Sequence, residues 1–363
     1  MSPPVLHAPR ALATASGGRV RVLVVDDSAV IRRLLQEALR GDPDLEVVGA
    51  EPNGVAALAQ IPILRPDIVT LDIEMPEMDG LETLRRIRRL HPGLRTIMFS
   101  TATTRGASAT FEALSLGADD YVAKVSGGGS LHQSLAAMRQ ELIPKIRQFF
   151  VLPREHNEPV IPTPRLVPLR TPQPRVLAIG VSTGGPQALA DLIPAIPAAF
   201  PIPILIVQHM PALFTRFLAE RLQAASPLRI EEAADGTEIV AGRVFIAPGG
   251  GHHLRVRRAG LSFVTALDEG PPENSCRPSV DVLFRSVAEC YGGESLAVVL
   301  TGMGSDGLRG VEQLKAAGAA CVVQDEATSV VWGMPGTVAR AGLADAILPL
   351  GHIAAELIRR TAR

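Results

Sequence analysis

Arg19-Val20-Arg21-Val22-Leu23-Val24-Val25-Asp26-Asp27-Ser28 carries the decision about fold. Its apolar, β-branched run predicts a buried strand over Arg19 to Val25, and the two carboxylates end that strand. Ser28 then sits where a helix N-cap belongs, because Ile31, Leu34, Leu35, Ala38 and Leu39 follow at helical spacing. Working outward, similar runs at Leu45 to Ala50, Ile68 to Asp72, Thr96 to Ser100 and Asp120 to Ala123 alternate with amphipathic stretches. Such βα alternation predicts a parallel, doubly wound sheet, whose functional crevice lies beyond the carboxyl ends of its strands.

The residues at those ends are chemical ones. Asp26 and Asp27 follow the first strand, Asp72 ends the third, Ser100 ends the fourth and Lys124 follows the fifth. Carboxylates held together repel one another unless a hard cation neutralises them, and few protein ligands plus water suit Mg²⁺. One carboxylate is then free to attack a phosphoryl donor while metal and lysine neutralise the transferring group. Acidic residues acting as helix caps would explain Asp26 or Asp27 singly, but not the whole set of five residues at successive strand ends.

Val24-Val25-Asp26-Asp27-Ser28, Leu71-Asp72-Ile73-Glu74-Met75-Pro76-Glu77-Met78-Asp79-Gly80 and Gly117-Ala118-Asp119-Asp120-Tyr121-Val122-Ala123-Lys124 resemble a two-component response-regulator receiver domain. The resemblance implies Asp72 as phospho-acceptor and, together with Asp26, Asp27 and the Glu74 carbonyl, as a Mg²⁺ ligand. It also implies Ser100 as switch hydroxyl and Tyr121 as switch aromatic. Receivers usually follow this lysine with proline, often cis; Val125 stands there instead, where a cis peptide would cost about 3 kcal/mol or more.

Composition divides the rest. Of 363 residues 30 are proline, above the roughly 5% of average usage. Seven of them fall between Val151 and Pro174 (Pro153, Pro159, Pro162, Pro164, Pro168, Pro172, Pro174) and predict an extended, semi-rigid linker. The expected organisation is a disordered tail over 1–18, a receiver over 19–140, a Pro-rich linker over 141–174 and a second domain over 175–363. With 47% apolar residues and a net charge of -1, the chain is built for cores rather than disorder. Residues 175–363 hold 16 Lys and Arg against 18 Asp and Glu, which argues against nucleic acid as a partner. No apolar run approaches the ~18 residues of a membrane span and no signal peptide is evident, so a cytoplasmic protein without membrane insertion is expected. Cys276, Cys290 and Cys321 fit neither a disulfide framework nor a zinc pattern.

In the back domain a buried strand, Arg175 to Gly180, runs into Val181-Ser182-Thr183-Gly184-Gly185-Pro186, with Pro186 suited to be the first residue of a helix. Gly180-x-Ser182-x-Gly184 matches a nucleophile turn, although a Gly/Ser-rich turn equally suits a phosphate cradle or a plain connection. Two further strands raise the first reading: Ile202 to Val207 ends in Gln208-His209-Met210-Pro211, and Leu296 to Leu300 ends in Thr301-Gly302-Met303-Gly304-Ser305-Asp306-Gly307. They bring a serine, a base and an orienting carboxylate to one sheet edge. His209 as a core histidine, or Asp306 as a cap for a helix over Gly307 to Ala317, would explain each alone. The order Ser, His, Asp also differs from the Ser, Asp, His of α/β-hydrolases.

Those three stretches, with Arg243 to His252, Arg277-Pro278-Ser279-Val280-Asp281-Val282-Leu283-Phe284, Gln324-Asp325-Glu326 and Trp332-Gly333-Met334-Pro335-Gly336, resemble the CheB family of chemotaxis protein-glutamate methylesterases over nearly all of 175–350. The resemblance implies two doubly wound α/β domains, a flavodoxin-like receiver followed by a Rossmann-like methylesterase. It implies hydrolysis of glutamate methyl esters on chemoreceptors, and deamidation of certain glutamines, without an esterase cofactor. Ser182 would be nucleophile, His209 base and then acid, and Asp306 its orienter, with the Met303 N–H and Thr183 at the oxyanion. It further implies the histidine kinase CheA as phosphodonor and a receiver that covers the cleft until phosphorylated. Asp281 and Arg277 are expected to be structural or substrate-positioning, His252 and His253 a turn or rim, Cys276 a spectator, and Arg255, Arg257 and Arg258 a solvated strand and turn. Two other classes stand against this one: a nucleotide-phosphate site at Gly180 to Pro186, which lacks both G-x-G-x-x-G and a P-loop lysine, and a receiver with a catalytically dead adaptor.

Overall fold

A computed structural model describes residues 13–14, 18–101, 103–124, 131–151 and 172–362. The chain separates into two compact units divided at Asn157/Glu158. Val125, the tail up to residue 12 and five of the seven linker prolines lie outside the described residues.

The front unit runs β1 (Ala13–Thr14), β2 (Val20–Val25), α1 (Ala29–Arg40), β3 (Leu45–Glu51), α2 (Gly54–Leu64), β4 (Ile68–Asp72), α3 (Gly80–Leu90), β5 (Arg95–Thr101), α4 (Thr104–Ser115), β6 (Asp120–Lys124), α5 (Leu131–Arg147) and β7 (Phe150–Val151). Strands β2 to β6 form a parallel sheet in the order β3-β2-β4-β5-β6, and β1 pairs with β7. β2 and β4 are almost wholly buried, which is why they read as continuous apolar runs rather than alternating ones. Ser28 caps α1 as expected, its hydroxyl accepting from the Ile31 N–H at 3.4 Å. Strand order reverses between β2 and β4, so Asp26, Asp27 and Asp72 stand at the switch point.

The expected receiver boundary at residue 140 falls inside α5 and is corrected. Leu142, Ile146 and Phe149 are buried, and Arg147 reaches Asp42 and Asp44 at 2.8 Å each, so the docked face holds the helix through Pro144 to Arg147. The seven prolines that suggest a linker all lie beyond this helix, which carries Pro144 in its own last turns.

The back unit runs β8 (Val176–Val181), α6 (Gly185–Leu192), β9 (Ile204–Gln208), α7 (Ala212–Ala225), β10 (Arg229–Glu232), β11 (Arg243–Ile246), β12 (His253–Ala259), β13 (Ser262–Asp268), α8 (Val280–Tyr291), β14 (Ser295–Val299), α9 (Leu308–Ala316), β15 (Ala320–Gln324), α10 (Met334–Arg340), β16 (Ala346–Leu348) and α11 (Leu350–Thr361). Seven strands form one parallel sheet, β10-β11-β9-β8-β14-β15-β16, and β12 and β13 form an antiparallel hairpin. Phe245, Leu254, Val256, Phe284 and Val287 join sheet, hairpin and α8 in one core. Each such side chain fully buried contributes about 1.5–3 kcal/mol of transfer free energy. Here the order reverses between β8 and β14, so the turns after β8, β9 and β14 meet at one edge.

α8 and α9 cross where α9 carries Gly310; a Cβ there would lie 2.4 Å from Phe284 Cβ and 3.3 Å from the Asp281 backbone. Gly310→Ala is therefore expected to destabilise the back unit by about 1–3 kcal/mol through overpacking, read as a lowered thermal or urea midpoint. An unchanged midpoint would show that this crossing is not close-packed.

Candidate active site

Strand register assembles the site. Val181 pairs with Gln208 and Gly180 with Val299, so Ser182, His209 and the Thr301 to Asp306 turn leave three neighbouring strands side by side. The Ser182 N–H donates to Thr301 O at 3.0 Å and the His209 N–H to Val181 O at 3.2 Å. Gln208 Nε2 donates to Ser182 O at 2.9 Å, fixing the serine turn from its β9 side. Gly184 turns with φ +77°, where a side chain would strain the backbone, and a Cβ on Gly302 would lie 2.8 Å from Ser182 Cβ. Pro186 is the second residue of α6, one place later than expected, behind Gly185.

Asp306 is the centre of the polar network. Its Oδ2 meets His209 Nε2 at 2.8 Å and accepts from the Val280 N–H at 2.7 Å. Its Oδ1 accepts from Ser279 Oγ (2.8 Å), Asn274 Nδ2 (2.9 Å) and the Asp281 and Gly307 N–H groups (both 3.1 Å). The carboxylate thus lies on the N-terminus of α8, where free N–H groups favour negative charge. Ser279, at the N-cap position of α8, makes no side-chain cap bond and gives its hydroxyl to Asp306 instead. Burial opposes charge on Asp306, but the His209 bond and charge and the Val280 and Asp281 N–H groups outweigh it and hold the carboxyl well below the usual range. Burial alone would lower the His209 pKa; its bonds to Asp306 and Cys276 overcome that and raise it above 6.5. With Nε2–H given to Asp306, Nδ1 is the nitrogen left to act as base.

Two expectations change here. Cys276 is no bystander, since its Sγ lies 3.6 Å from His209 Nδ1. His253 is not at a rim: it is 2% exposed, and its Nδ1 accepts from the Ser279 N–H at 3.1 Å while Nε2 bonds Pro271 O at 3.1 Å, so it shapes the start of α8. His252 does stay near the surface, 3.2 Å from Glu269. Asp306 contacts the Gly307 N–H but caps α8 rather than α9. Asp281 ties α8 to α9 through the Gly310 N–H at 2.7 Å, and Arg277 holds the Glu269 and Gly270 carbonyls at 3.3 and 3.1 Å, so both build the scaffold. Asn274, which bridges Asp281 and Asp306 at 2.9 Å each, has no sequence signal beyond lying near the Arg277 to Asp281 motif.

Ser182 is half-buried beside this base, and its hydroxyl makes no hydrogen bond among the described residues; Nδ1 is met by Cys276. Nucleophile–base bonds are often long before substrate arrives. The Met303 N–H is likewise without a partner among the described residues, and the residue is 39% exposed. Thr183 is buried, and its carbonyl accepts from Thr301 Oγ1 at 2.9 Å. A hydroxyl, an imidazole with a base nitrogen, an ionised orienter and an open N–H together suit acyl transfer.

In the front unit, ligand oxygens of Asp26, Asp27 and Asp72 lie within 4.8 Å of one another. Lys124 Nζ is 2.7 Å from Asp72 Oδ2 and 2.9 Å from Asp26 Oδ2. Asp26 Oδ2 is fully buried with no aligned hydrogen bond, and Asp27 is exposed, so oxygen donors are ready for a hard cation. Burial raises the Asp72 pKa to about 6 despite Lys124, with the Asp26 charge adding to the effect. Burial opposes charge on Lys124, but the Asp72 and Asp26 carboxylates beside it raise its pKa. Asp27, Asp72, Glu74, Ser100 and Lys124 line one pocket. Ser100 Oγ donates to Gly106 O at 3.0 Å, on α4, and the buried Tyr121 ring lies beneath Lys145 at 4.9 Å.

The comparisons agree with this division. Residues 177–357 match the CheB methylesterase family and residues 22–136 the response regulator receiver domain family. A protein-glutamate methylesterase/protein-glutamine glutaminase of Trichodesmium erythraeum is 49% identical over 354 residues, covering 94% of this chain and 99% of its own length. A protein of the same name from a Nocardioides species is also 49% identical, covering 95% of this chain and 96% of its own. The crystal structure of the Thermotoga maritima CheB methylesterase catalytic domain aligns with a TM-score of 0.50 at 42% identity, covering 51% of this chain and 98% of that domain.

Asp306→Asn tests the electrostatics. The base form of His209 is the neutral one, and Asp306 raises its pKa, so activity on an ester should climb as pH rises through the neutral and alkaline range. Replacing the carboxylate with an amide removes the countercharge, which should move that climb to lower pH and cut kcat by about 10³–10⁴-fold. A variant with the wild-type pH–rate curve would contradict the assignment.

Proposed function

This chain belongs to the CheB methylesterase family, in the form with a response regulator receiver domain in front, and we propose that it is a phosphorylation-activated serine hydrolase acting on chemoreceptors. Its substrates are γ-methyl esters of glutamate on the receptors' cytoplasmic helices and certain glutamine side chains, and the outcome is sensory adaptation. The observation that carries this reading is the His209–Asp306 pair beside Ser182 on adjoining strand ends.

Ser182 Oγ attacks the ester carbonyl while its proton passes to His209 Nδ1. The oxyanion takes a hydrogen bond from the Met303 N–H, with Thr183 assisting. His209 returns the proton to the departing methoxide, giving methanol and an acyl-serine. Water then attacks, again through His209, and frees the glutamate carboxylate; with glutamine the first product is ammonia. Asp306 holds the ring in one tautomer and stabilises the imidazolium without taking the proton itself.

Asp72 is the phospho-acceptor, with Asp26, Asp27 and the Glu74 carbonyl as holders of Mg²⁺. The metal, when bound, neutralises charge on the transferring phosphoryl group. Lys124 is placed to do the same from the protein side, and Ser100 and Tyr121 are the groups whose turning would report the phosphoryl group. The phosphodonor is the chemotaxis histidine kinase CheA, and the site of action is the cytoplasm. A ligand shifts a conformational equilibrium only through differential affinity, so phosphorylation of Asp72 has to favour the active state of the chain over the inactive one.

Methanol release from methylated receptor by the full chain, with and without acetyl phosphate and Mg²⁺, tests both halves. Ser182→Ala should lower kcat by about 10⁴-fold or more, and Asp72→Asn should remove the stimulation while keeping basal release. Equal release by wild type and Ser182→Ala would overturn the catalytic reading, and stimulation persisting in Asp72→Asn the regulatory one.

A further inference from the structure

Nothing in the hydrolytic sequence above uses Cys276, yet its thiol holds the nitrogen that the sequence needs. Sγ lies 3.6 Å from His209 Nδ1, and His209 Nε2 lies 2.8 Å from Asp306 Oδ2, so sulfur, ring and carboxylate form a second relay around the same base. The three side chains bring a ligand atom each within 4.8 Å of one another.

The thiol is held in place. Asn274 and Ser275 both take left-handed backbone angles, φ 50° and 61°, and the turn closes with the Cys276 N–H on Glu273 O at 2.8 Å and the Glu273 N–H on Cys276 O at 3.1 Å. Left-handed angles are costly for non-glycine residues and persist only where the surroundings enforce them. The enforcers are Arg285, 2.5 Å from Glu273, and Asn274 locked between Asp281 and Asp306. Cys276 is half-buried, with part of its surface open to solvent. The other cysteines differ in their surroundings: Cys290 gives its thiol to Val256 O at 3.6 Å, and Cys321 is fully buried.

We propose that Cys276 is an oxidation site through which hydroperoxides switch the hydrolase off. The proposal rests on Ser182 and His209 being the hydrolytic pair. The imidazole accepts the thiol proton at Nδ1, and the sulfur attacks the distal oxygen of a hydroperoxide. An S–O bond forms as the O–O bond breaks; the cysteine loses two electrons and becomes a sulfenic acid. The hydroperoxide is reduced to the alcohol, or to water from hydrogen peroxide, its leaving oxygen taking the proton from His209. The added oxygen then occupies the space at Nδ1 that the Ser182 hydroxyl must reach, and a thiol reductant reverses the block.

The full chain, reduced and then exposed to hydrogen peroxide with the sulfenic-acid trap dimedone, is digested and its cysteine adducts quantified by mass spectrometry, with methanol release followed in parallel without the trap. The Cys276 adduct should form at least about tenfold faster than those of Cys290 and Cys321, in line with thiolate access. His209→Gln should slow it. Methanol release should fall with oxidation and return on adding dithiothreitol, while Cys276→Ser, measured against its own untreated rate, should keep its activity. Adducts forming first on Cys290 or Cys321, or no adduct, would overturn the proposal, as would equal fractional inactivation of wild type and Cys276→Ser. Adduct formation is read without any hydrolysis, so a chain that releases no methanol would overturn the function and leave the oxidation chemistry to the adducts.

Discussion

The catalytic unit depends on one buried carboxylate. Asp306 collects the N-terminus of α8, the Ser279 hydroxyl, the Asn274 amide and the His209 ring around two oxygens. Removing one partner of a buried charge pair costs about 3–5 kcal/mol, because the remaining charge is left without compensation. The cost explains why so much around Asp306 is fixed in turn: His253 holds the Ser279 backbone, Asp281 ties α8 to α9, and Arg277 pins the neighbouring carbonyls. A helix end, a cap and a base are stabilised by the same negative charge. The imidazole is therefore presented in one orientation, with Nε2 committed to Asp306 and Nδ1 facing the Cys276 thiol.

Both units use one architectural rule with opposite electrostatics. Each is a parallel sheet whose order reverses once, and each puts its chemistry where the reversal opens a crevice. In the front unit three carboxylates crowd one strand edge and a single lysine answers two of them; burial, with the Asp26 charge adding to it, raises the Asp72 pKa to about 6. In the back unit one carboxylate meets more donors than it can repay, and its pKa falls instead. The first arrangement suits a metal ion and an incoming phosphoryl group; the second suits a base that takes and returns a proton.

Strand ends were legible in the sequence because parallel strands buried on both faces leave unbroken apolar runs, and the residues just after each run must lie at the crevice. That logic placed Asp26, Asp72 and Lys124 in one unit, and Ser182, His209 and Asp306 in the other. It failed on the 274–281 segment. Its residues reach the site through a turn with two left-handed non-glycine positions, for which Asn274-Ser275 gives only a faint signal. Cys276 therefore looked isolated, although the turn carries it onto His209, and His253 looked exposed beside His252, although β12 turns it inward. The end of the front unit was placed early for a related reason: the buried face that carries α5 on to Arg147 shows only in packing. Ser100 was placed at the pocket, but the direction of its hydroxyl, toward Gly106 on α4, is a tertiary fact.

The catalytic mechanism stands or falls on the state of His209. Nuclear magnetic resonance of the full chain with ¹⁵N-labelled histidine follows the His209 ring nitrogens through a pH titration and assigns the tautomer directly. The expected result is a pKa above the ordinary 6.5, with the neutral form carrying its proton on Nε2 and Nδ1 bare. A pKa below 6.5, or a neutral ring protonated on Nδ1, would contradict it.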